Sequence, residues 1–99
     1  MVNIEIPQQQ IKEFCRRYRV RELALFGSVL RDDFRPDSDV DVLVVFEPDV
    51  QLTLLTLSGM QIELTEILQR SVDLVLRDGL KPIIREDILS SAKTIYAQN

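Results

Sequence analysis

The sequence predicts a single α/β (α+β) domain, in which helices flank a small mixed β-sheet. Its 99 residues are enough for one compact domain and too few for two. Short runs rich in β-branched residues alternate with longer segments whose apolar residues recur at helical spacing. Neither an internal repeat nor a linker-like stretch interrupts the chain. We therefore treat residues 1–99 as one domain with a single core.

The first half of the chain predicts a helix, two strands and the turns between them. In chain order these are a helix at 7–19, a strand at 23–26, a helical turn at 28–32, a loop at 34–38 and a central strand at 39–46. The helix has Pro7 near its start and apolar residues such as Ile11 and Phe14 at helical spacing. Gly27 ends the first strand in a tight turn, and Pro36 marks the loop.

The second half predicts a helix at 51–70, a third strand at 72–76 and a last helix at 80–96. The long helix has an apolar stripe on one face, and the strand is the short apolar run VDLVL. Gly79 marks the turn before the last helix, which has Pro82 in its first turn. We expect the inward face of this helix to consist of Ile84, Ile88, Leu89, Ala92 and Ile95.

Composition excludes several kinds of chemistry and suggests a compartment. The sequence has no histidine, so catalysis by Ser-His-Asp or Cys-His and zinc sites with histidine ligands are excluded. A net charge of −4 argues against direct nucleic-acid binding, because phosphate neutralisation supplies most non-specific affinity. Cys15 stands alone and is expected to be buried, and the longest apolar run, 42–46, is too short to span a membrane. Since residues 1–7 also do not resemble a signal peptide, we expect a cytoplasmic protein that is not associated with membranes.

Three aspartates stand in or beside the predicted strands. Asp39 and Asp41 point to the same face of the central strand, with Cα atoms roughly 6.6 Å apart. Like charges at this spacing repel, and a hard cation with oxygen ligands would compensate for the repulsion. Asp73 is the second residue of the third strand. If the two strands are neighbours, three carboxylates converge on a site suited to one or two Mg²⁺ ions and to phosphoryl or nucleotidyl transfer.

Each aspartate taken singly also has a structural explanation. Asp39 could flank a strand at a loop boundary, and Asp73 could make an edge strand soluble. Asp41 is harder to explain in this way, because it interrupts an apolar run. The metal-site interpretation therefore depends on the three residues together.

Gly27 and Ser28 lie between a predicted strand and a predicted helical turn. Glycine lets the backbone approach a phosphate closely, and a helix start offers unpaired N–H groups. Such a pair alone is typical of any turn. Ten residues separate it from the sequence Asp-Val-Asp at 39–41, and this G-S-x10-D-x-D spacing resembles the signature of the polymerase-β-like nucleotidyltransferase superfamily.

The surrounding sequence is similar to that of the minimal nucleotidyltransferase (MNT) branch of that superfamily. The similarity runs from 25–31 through 37–44 and 72–75 to the helix start at 80–82, so it covers most of the chain. Many relatives have a small residue followed by Arg-Gly after the Gly-Ser turn, where this chain has Leu30-Arg31-Asp32. Arg31 stays in register with the family pattern.

The resemblance implies a polymerase-β-like nucleotidyltransferase fold and nucleotide transfer from a nucleoside triphosphate, usually ATP. It implies that Gly27, Ser28 and Arg31 bind the nucleotide. It also implies that Asp39, Asp41 and Asp73 are the catalytic residues and ligate Mg²⁺, with Asp73 accepting the proton of the acceptor hydroxyl. Further candidates for phosphate contacts are Arg77, Lys81 and Arg85, for which solvated surface charge is the better explanation.

The chain leaves no room for an acceptor-binding domain, so we expect the acceptor to belong to another protein. The resemblance implies that this partner is a HEPN ribonuclease toxin, that the chain is its antitoxin, and that AMP is transferred to a tyrosine hydroxyl. The alternative is a non-catalytic module that masks its partner by complex formation, with the aspartates supplying electrostatic complementarity. Transfer to RNA or to a small molecule is a third option, disfavoured by the acidic charge and by the absence of a second domain.

Overall fold

A computed structural model describes residues 4–98, which form three α-helices and four β-strands. The elements are α1 (Gln8–Arg17), β1 (Val20–Phe26), β2 (Val40–Phe46), α2 (Leu54–Leu68), β3 (Val72–Leu76), α3 (Pro82–Ser91) and β4 (Lys93–Ala97). Short 3₁₀ helices at Gly27–Leu30 and Arg77–Gly79 follow β1 and β3. Residues 1–3 and 99 of the predicted domain lie outside the described part of the chain.

The four strands form one mixed sheet in the order β3-β2-β1-β4. Strand β1 is antiparallel to both β2 and β4, whereas β2 and β3 are parallel. The parallel pair is possible because α2 provides the crossover that two parallel neighbours require. The predicted α/β class with a small mixed sheet is therefore confirmed.

The hydrophobic core lies between one face of the sheet and the helices α1 and α2. Alternate residues of β2 point into it, and Val40, Val42 and Val44 are buried, as the two-residue period of a strand requires. The core is completed by residues from α1, β1, the 3₁₀ turn, α2 and β3: Ile11, Phe14, Cys15, Val20, Leu23, Leu25, Val29, Met60, Leu64, Leu68 and Val72. Burial raises the pKa of the Cys15 thiol to about 12, so the thiol behaves as a small apolar group, as predicted.

Strand β3 lies at the edge of the sheet, and side chains of α2 bond two of its outward-facing amides. The Thr65 hydroxyl accepts a hydrogen bond from the backbone N–H of Val72 at 3.2 Å. The Gln61 side-chain carbonyl accepts one from the N–H of Leu74 at 3.1 Å. Both amides flank residue 73, so the segment that contains Asp73 is held from the α2 side as well as by pairing with β2.

The predicted last helix, 80–96, is wrong in its second half. Helix α3 ends at Ser91, and residues Lys93–Ala97 form β4, which pairs with β1. Thr94, Ile95 and Tyr96 are β-branched or aromatic and fit a strand. Strand β1 would otherwise leave a row of its backbone groups unpaired, and tertiary pairing outweighs the helical spacing of the apolar residues. The sheet consequently has four strands where the sequence indicated three.

The apolar stripe expected on that helix does not face the core. Helix α3 has no buried residue, and Ile84 and Leu89 are 44% and 41% exposed. Ile88, Ala92 and Ile95 are half-buried. The apolar residues of the predicted stripe belong to two different elements, α3 and β4, so they cannot form one face of a single helix.

Strand β3 has the predicted bounds, whereas the boundaries of several other elements shift. Strand β1 begins at Val20, three residues earlier than predicted, and α1 and α2 are shorter than predicted. Helix α2 begins after Thr53, whose hydroxyl accepts a hydrogen bond from the N–H of Thr56 at 3.1 Å. It ends before Gln69, which has a left-handed φ of 57°. Strand β2 starts at Val40, so Asp39 precedes the strand in which it was placed.

Within the described range, 4–98, no helix has both the length and the apolar character needed to span a bilayer.

Candidate active site

The parallel pairing of β2 with β3 makes Asp41 the register partner of Asp73. Register partners in neighbouring strands point to the same face of a sheet. Because Val40 and Val42 point into the core, both carboxylates lie on the opposite face. The predicted adjacency of the two acid-bearing strands is confirmed, and it arises from a parallel crossover that brings residues far apart in sequence together.

The surroundings of Asp41 disfavour the ionised form of its carboxylate. Partial burial raises its pKa, and the negative charges of Asp73 and Asp39 raise it further. The positive charge of Arg31 acts in the opposite direction and lowers the pKa of Asp41. Asp39 and Arg31 therefore lie close enough to Asp41 for their charges to affect its pKa. Asp39 itself is exposed and precedes β2.

Gly27 packs against the Asp41 carboxylate. The antiparallel register pairs Phe26 with Asp41, so the turn after β1 begins beside that side chain. Gly27 has a φ of +76°, which side-chain-bearing residues rarely adopt, and a Cβ built on it would lie 2.2 Å from Oδ2 of Asp41. Glycine is required here both by backbone conformation and by the space that the carboxylate occupies.

The predicted helical turn at 28–32 is a 3₁₀ helix that begins one residue earlier, at Gly27, and ends at Leu30. Val29 is buried in the core and anchors the turn, while Ser28 is half-buried. The Arg31 N–H donates to the Ser28 carbonyl at 2.9 Å and closes the turn. The Arg31 Nε also lies 3.3 Å from Oδ1 of Asp33. All three predicted nucleotide-binding residues thus lie on one continuous turn next to Asp41.

Whether this site can hold a divalent cation depends on the metal-ligating side chains that it brings together. No three carboxylate, thiolate or imidazole side chains in residues 4–98 lie close enough together to enclose a metal ion by themselves. Mg²⁺ typically uses one or two carboxylates and takes its remaining ligands from water and substrate phosphates. Asp41 and Asp73 form such a partial set, and their mutual repulsion is what a bound cation would relieve. The residues therefore fit Mg²⁺ held jointly with a nucleotide.

A cleft of about 520 Å³ opens beside the turn. One wall comes from the end of β1 and the 3₁₀ helix, and the other from α3 and the start of β4. Its lining residues are Phe26, Gly27, Leu30, Arg31, Asp87, Ile88, Ser91 and Lys93. A larger depression of about 830 Å³ lies between the amino-terminal segment and the end of α2, but none of the predicted site residues lines it. The smaller cleft is the better nucleotide candidate because it contains Gly27 and Arg31.

Sequence reasoning missed Asp87, Ser91 and Lys93, which line the cleft. No motif marks them, and Lys93 lies in the segment that was predicted as helix. Its position beside the turn depends on the pairing of β4 with β1, in which Lys93 is the register partner of Leu25. Only the strand pairing, which sequence periodicity does not reveal, could have identified it.

The other predicted phosphate contacts lie around the start of α3. Arg77 is near Asp78, with 3.7 Å between its Nε and Oδ1. Arg85 donates from Nη2 to the carbonyl oxygen of Arg77 at 3.4 Å, and its Nε is buried without a partner among the described residues. Lys81 is exposed. None of the three lines the cleft beside Gly27.

Comparison with known proteins places these features in a family context. The profile of the nucleotidyltransferase domain family matches residues 8–95 of the chain. The protein adenylyltransferase MntA of Thermococcus cleftensis is 40% identical over 78 residues, which cover 79% of this chain and 77% of that protein.

Two solved structures show the same fold. A chain of a toxin-antitoxin crystal structure with AMP-PNP matches with a TM-score of 0.74 and 19% identity, covering 94% of this chain and 75% of that one. A chain of the complex between tri-AMPylated Shewanella oneidensis HEPN toxin and MNT antitoxin matches with a TM-score of 0.66 and 18% identity, covering 92% and 70%. At these identities the likeness concerns the fold alone, and it confirms the predicted fold.

Proposed function

This chain belongs to the nucleotidyltransferase domain family, and on that premise we propose that it transfers AMP from ATP to a hydroxyl group of a partner protein, with Mg²⁺ as cofactor. The observation that supports this proposal most is the pairing of Asp41 with Asp73 directly beside the Gly27 turn. A pair of carboxylates next to a glycine turn suits a reaction in which a nucleotide is held and one of its phosphorus atoms is attacked.

In the proposed reaction, the acceptor hydroxyl oxygen forms a new bond to the α-phosphorus of ATP. The bond between that phosphorus and the oxygen bridging to the β-phosphate breaks, and pyrophosphate leaves. The proton of the hydroxyl passes to the Asp73 carboxylate, which acts as the general base. The products are an AMP ester of the acceptor and pyrophosphate, so atoms and charge balance.

The chain's own residues divide the remaining work. Gly27 and Ser28 offer backbone N–H groups and a hydroxyl to the triphosphate, and Arg31 supplies positive charge from the same turn. Asp39, Asp41 and Asp73 would hold Mg²⁺ together with the phosphate oxygens. When bound, the ion neutralises charge that develops on the phosphates during transfer.

The proposed acceptor is a HEPN-type toxin, whose side-chain hydroxyl would be modified and whose activity would be silenced. Two likenesses support this choice. The Thermococcus relative is named a protein adenylyltransferase, and one structural match comes from a complex of an AMPylated HEPN toxin with its MNT antitoxin. ATP as the nucleotide is supported by the match to a toxin-antitoxin structure with AMP-PNP. A cytoplasmic location, expected from the sequence, stays a prediction.

The test is to incubate the chain with ATP, Mg²⁺ and a HEPN-type protein with which it forms a complex, and to measure the intact mass of that protein. We expect an increase by one or more AMP units. Asp41→Asn should abolish the increase, whereas Glu66→Gln, on the exposed face of α2, should not change it. An unchanged mass with the wild-type chain, under conditions in which the two proteins form a complex, would contradict the proposal.

The masking alternative is separated by the double substitution Asp39→Asn with Asp41→Asn. If the partner is neutralised by catalysis, the double variant still binds it but no longer silences it. If binding alone neutralises the partner, silencing survives the loss of both carboxylates.

A further inference from the structure

Arg70 follows α2, and its half-buried side chain reaches across to the loop at 34–38. Its Nη1 donates to the carbonyl oxygen of Pro36 at 3.0 Å and to that of Arg35 at 3.4 Å. The central carbon of the guanidinium lies 5.1 Å from the centroid of the Phe34 ring. One side chain thus holds three consecutive loop residues by hydrogen bonds and by a cation–π contact.

The loop held by Arg70 leads directly into Asp39. Within the loop, both the hydroxyl and the backbone N–H of Ser38 form hydrogen bonds. Immediately after Asp39, the N–H of Val40 donates to the carbonyl of Ser71 at 2.8 Å, and Ser71 is the neighbour of Arg70 in the chain. Asp39 is therefore flanked by contacts to Arg70 on one side and to Ser71 on the other, two adjacent residues of the segment that connects α2 to β3.

We propose that Arg70 is a positioning residue that fixes the Asp39 carboxylate relative to Asp41 and Asp73, a role that rests on the proposed function. Asp39 precedes β2, so its position depends on the loop before it as well as on the strand after it. Arg70 joins that loop to the end of α2, and two residues after Arg70 the chain enters β3, in which Asp73 is the second residue. A single side chain thereby couples the two segments that bring carboxylates to the site.

An arginine suits this task better than a lysine. Its planar guanidinium presents several N–H donors in fixed directions, so it can reach two neighbouring carbonyl oxygens and lie over a ring at the same time. An ammonium group could reach one of the carbonyls but would stack poorly on Phe34. The inference therefore predicts a graded series, in which Arg70→Lys retains part of the effect and Arg70→Ala retains none.

The experiment measures the metal dependence of both catalysis and binding. AMP transfer to the partner protein is followed at saturating ATP while the Mg²⁺ concentration is varied. Binding of Mn²⁺, as a probe for the divalent ion, is measured in parallel by electron paramagnetic resonance in the presence of AMP-PNP, which requires no turnover. The variants are Arg70→Ala, Arg70→Lys and a matched control, Arg16→Ala, which removes the same charge from the exposed face of α1.

We expect Arg70→Ala to weaken Mn²⁺ binding, and to raise the Mg²⁺ concentration for half-maximal transfer, by about 10- to 100-fold, the range seen when groups that orient metal ligands are removed. Arg70→Lys should fall between this variant and the wild type, and Arg16→Ala should match the wild type. Amide hydrogen exchange across residues 34–40 should quicken in Arg70→Ala. If Arg70→Ala does not fold, as judged by circular dichroism, the Arg70→Lys comparison provides the test.

Arg70 variants with the metal dependence of Arg16→Ala would overturn the inference. A wild-type chain that transfers no AMP would instead contradict the proposed function. In that case Mn²⁺ binding still decides the role of Arg70, because it does not depend on an acceptor.

Discussion

A Cβ on Gly27 would lie 2.2 Å from Oδ2 of Asp41 and 3.2 Å from its Cγ. The Asp41 carboxylate thus occupies the space that the side chain of any other residue at position 27 would need. The register of β1 and β2 creates this closeness, because Phe26 is paired with Asp41 and the chain turns immediately afterwards. A change at Gly27 therefore acts on the carboxylate as well as on the turn.

We expect Gly27→Ala to abolish AMP transfer and to lower the free energy of unfolding by about 1 kcal/mol or more, because alanine strains the positive φ and displaces Asp41. Urea denaturation and the transfer assay check both effects. Gly59→Ala is the matched control, since a Cβ at Gly59 meets nothing within 4 Å and the residue lies inside α2. That control should keep activity and gain roughly 0.5–1 kcal/mol of helix stability.

The raised pKa of Asp41 predicts a pH-dependent cost to stability. Burial and the charges of Asp73 and Asp39 raise the pKa above that of an unfolded aspartate, whereas Arg31 partly offsets the rise. A raised carboxyl pKa stabilises the fold only at low pH, and this contribution is lost as the pH rises through the folded-state pKa. Asp41→Asn should therefore increase the melting temperature relative to the wild type at pH 7.

That gain should shrink as the pH falls toward about 3.9, where an ordinary aspartate is half protonated. Melting temperatures measured between about pH 3.5 and pH 7, in steps of about half a pH unit, would follow the trend. Asp37→Asn, at an exposed loop position, removes the same charge and is the control. A melting-temperature gain for Asp41→Asn that is equal at every pH would contradict the assignment.

Asp73 and Asp41 should differ in what their loss affects. If Asp73 accepts the acceptor proton as well as ligating the ion, Asp73→Asn should lower kcat by about 10²- to 10⁴-fold, the usual range for a general base, and lower the affinity for AMP-PNP by a smaller factor. Single-turnover kinetics and calorimetric titration separate these quantities. Equal losses in nucleotide affinity and in rate would show that Asp73 acts only in binding.

Lys93 tests whether the cleft beside the turn receives the nucleotide. It lines the cleft with Gly27 and Arg31, and removing one partly exposed cation near phosphates should cost about 1 kcal/mol, or roughly fivefold in the KM for ATP. Steady-state kinetics of Lys93→Ala measure the change. Lys12→Ala, at an exposed position of α1, removes the same charge away from the cleft and should leave KM unchanged.

The sequence was most informative where spacing and alternation are local. Asp41 could be assigned to the face opposite Val40 and Val42 because a strand has a two-residue period, and the turn at Gly27 follows from the glycine itself. The adjacency of Asp41 and Asp73 was expected only conditionally, because strand neighbours are set by the crossover through α2. The roles of the six predicted site residues stay predictions.

Features that depend on distant pairing could not be read from local patterns. Residues 93–97 have helical spacing with the helix before them, yet their partner is β1, some 70 residues earlier, whose free backbone groups decide the outcome. The lining of the cleft by Lys93 follows from the same pairing. The link from Arg70 to the loop before Asp39 joins residues 34 positions apart, and nothing in the composition of either segment indicates it.

The capping of β3 by α2 also bears on how the protein behaves at high concentration. An exposed sheet edge offers unpaired amides to the strands of other molecules, and this is a common route to fibrous aggregates. Here the amides of Val72 and Leu74 are already engaged by Thr65 and Gln61, so an incoming strand would first have to displace both side chains. The edge beside the proposed catalytic carboxylates is thereby shielded from unwanted self-association.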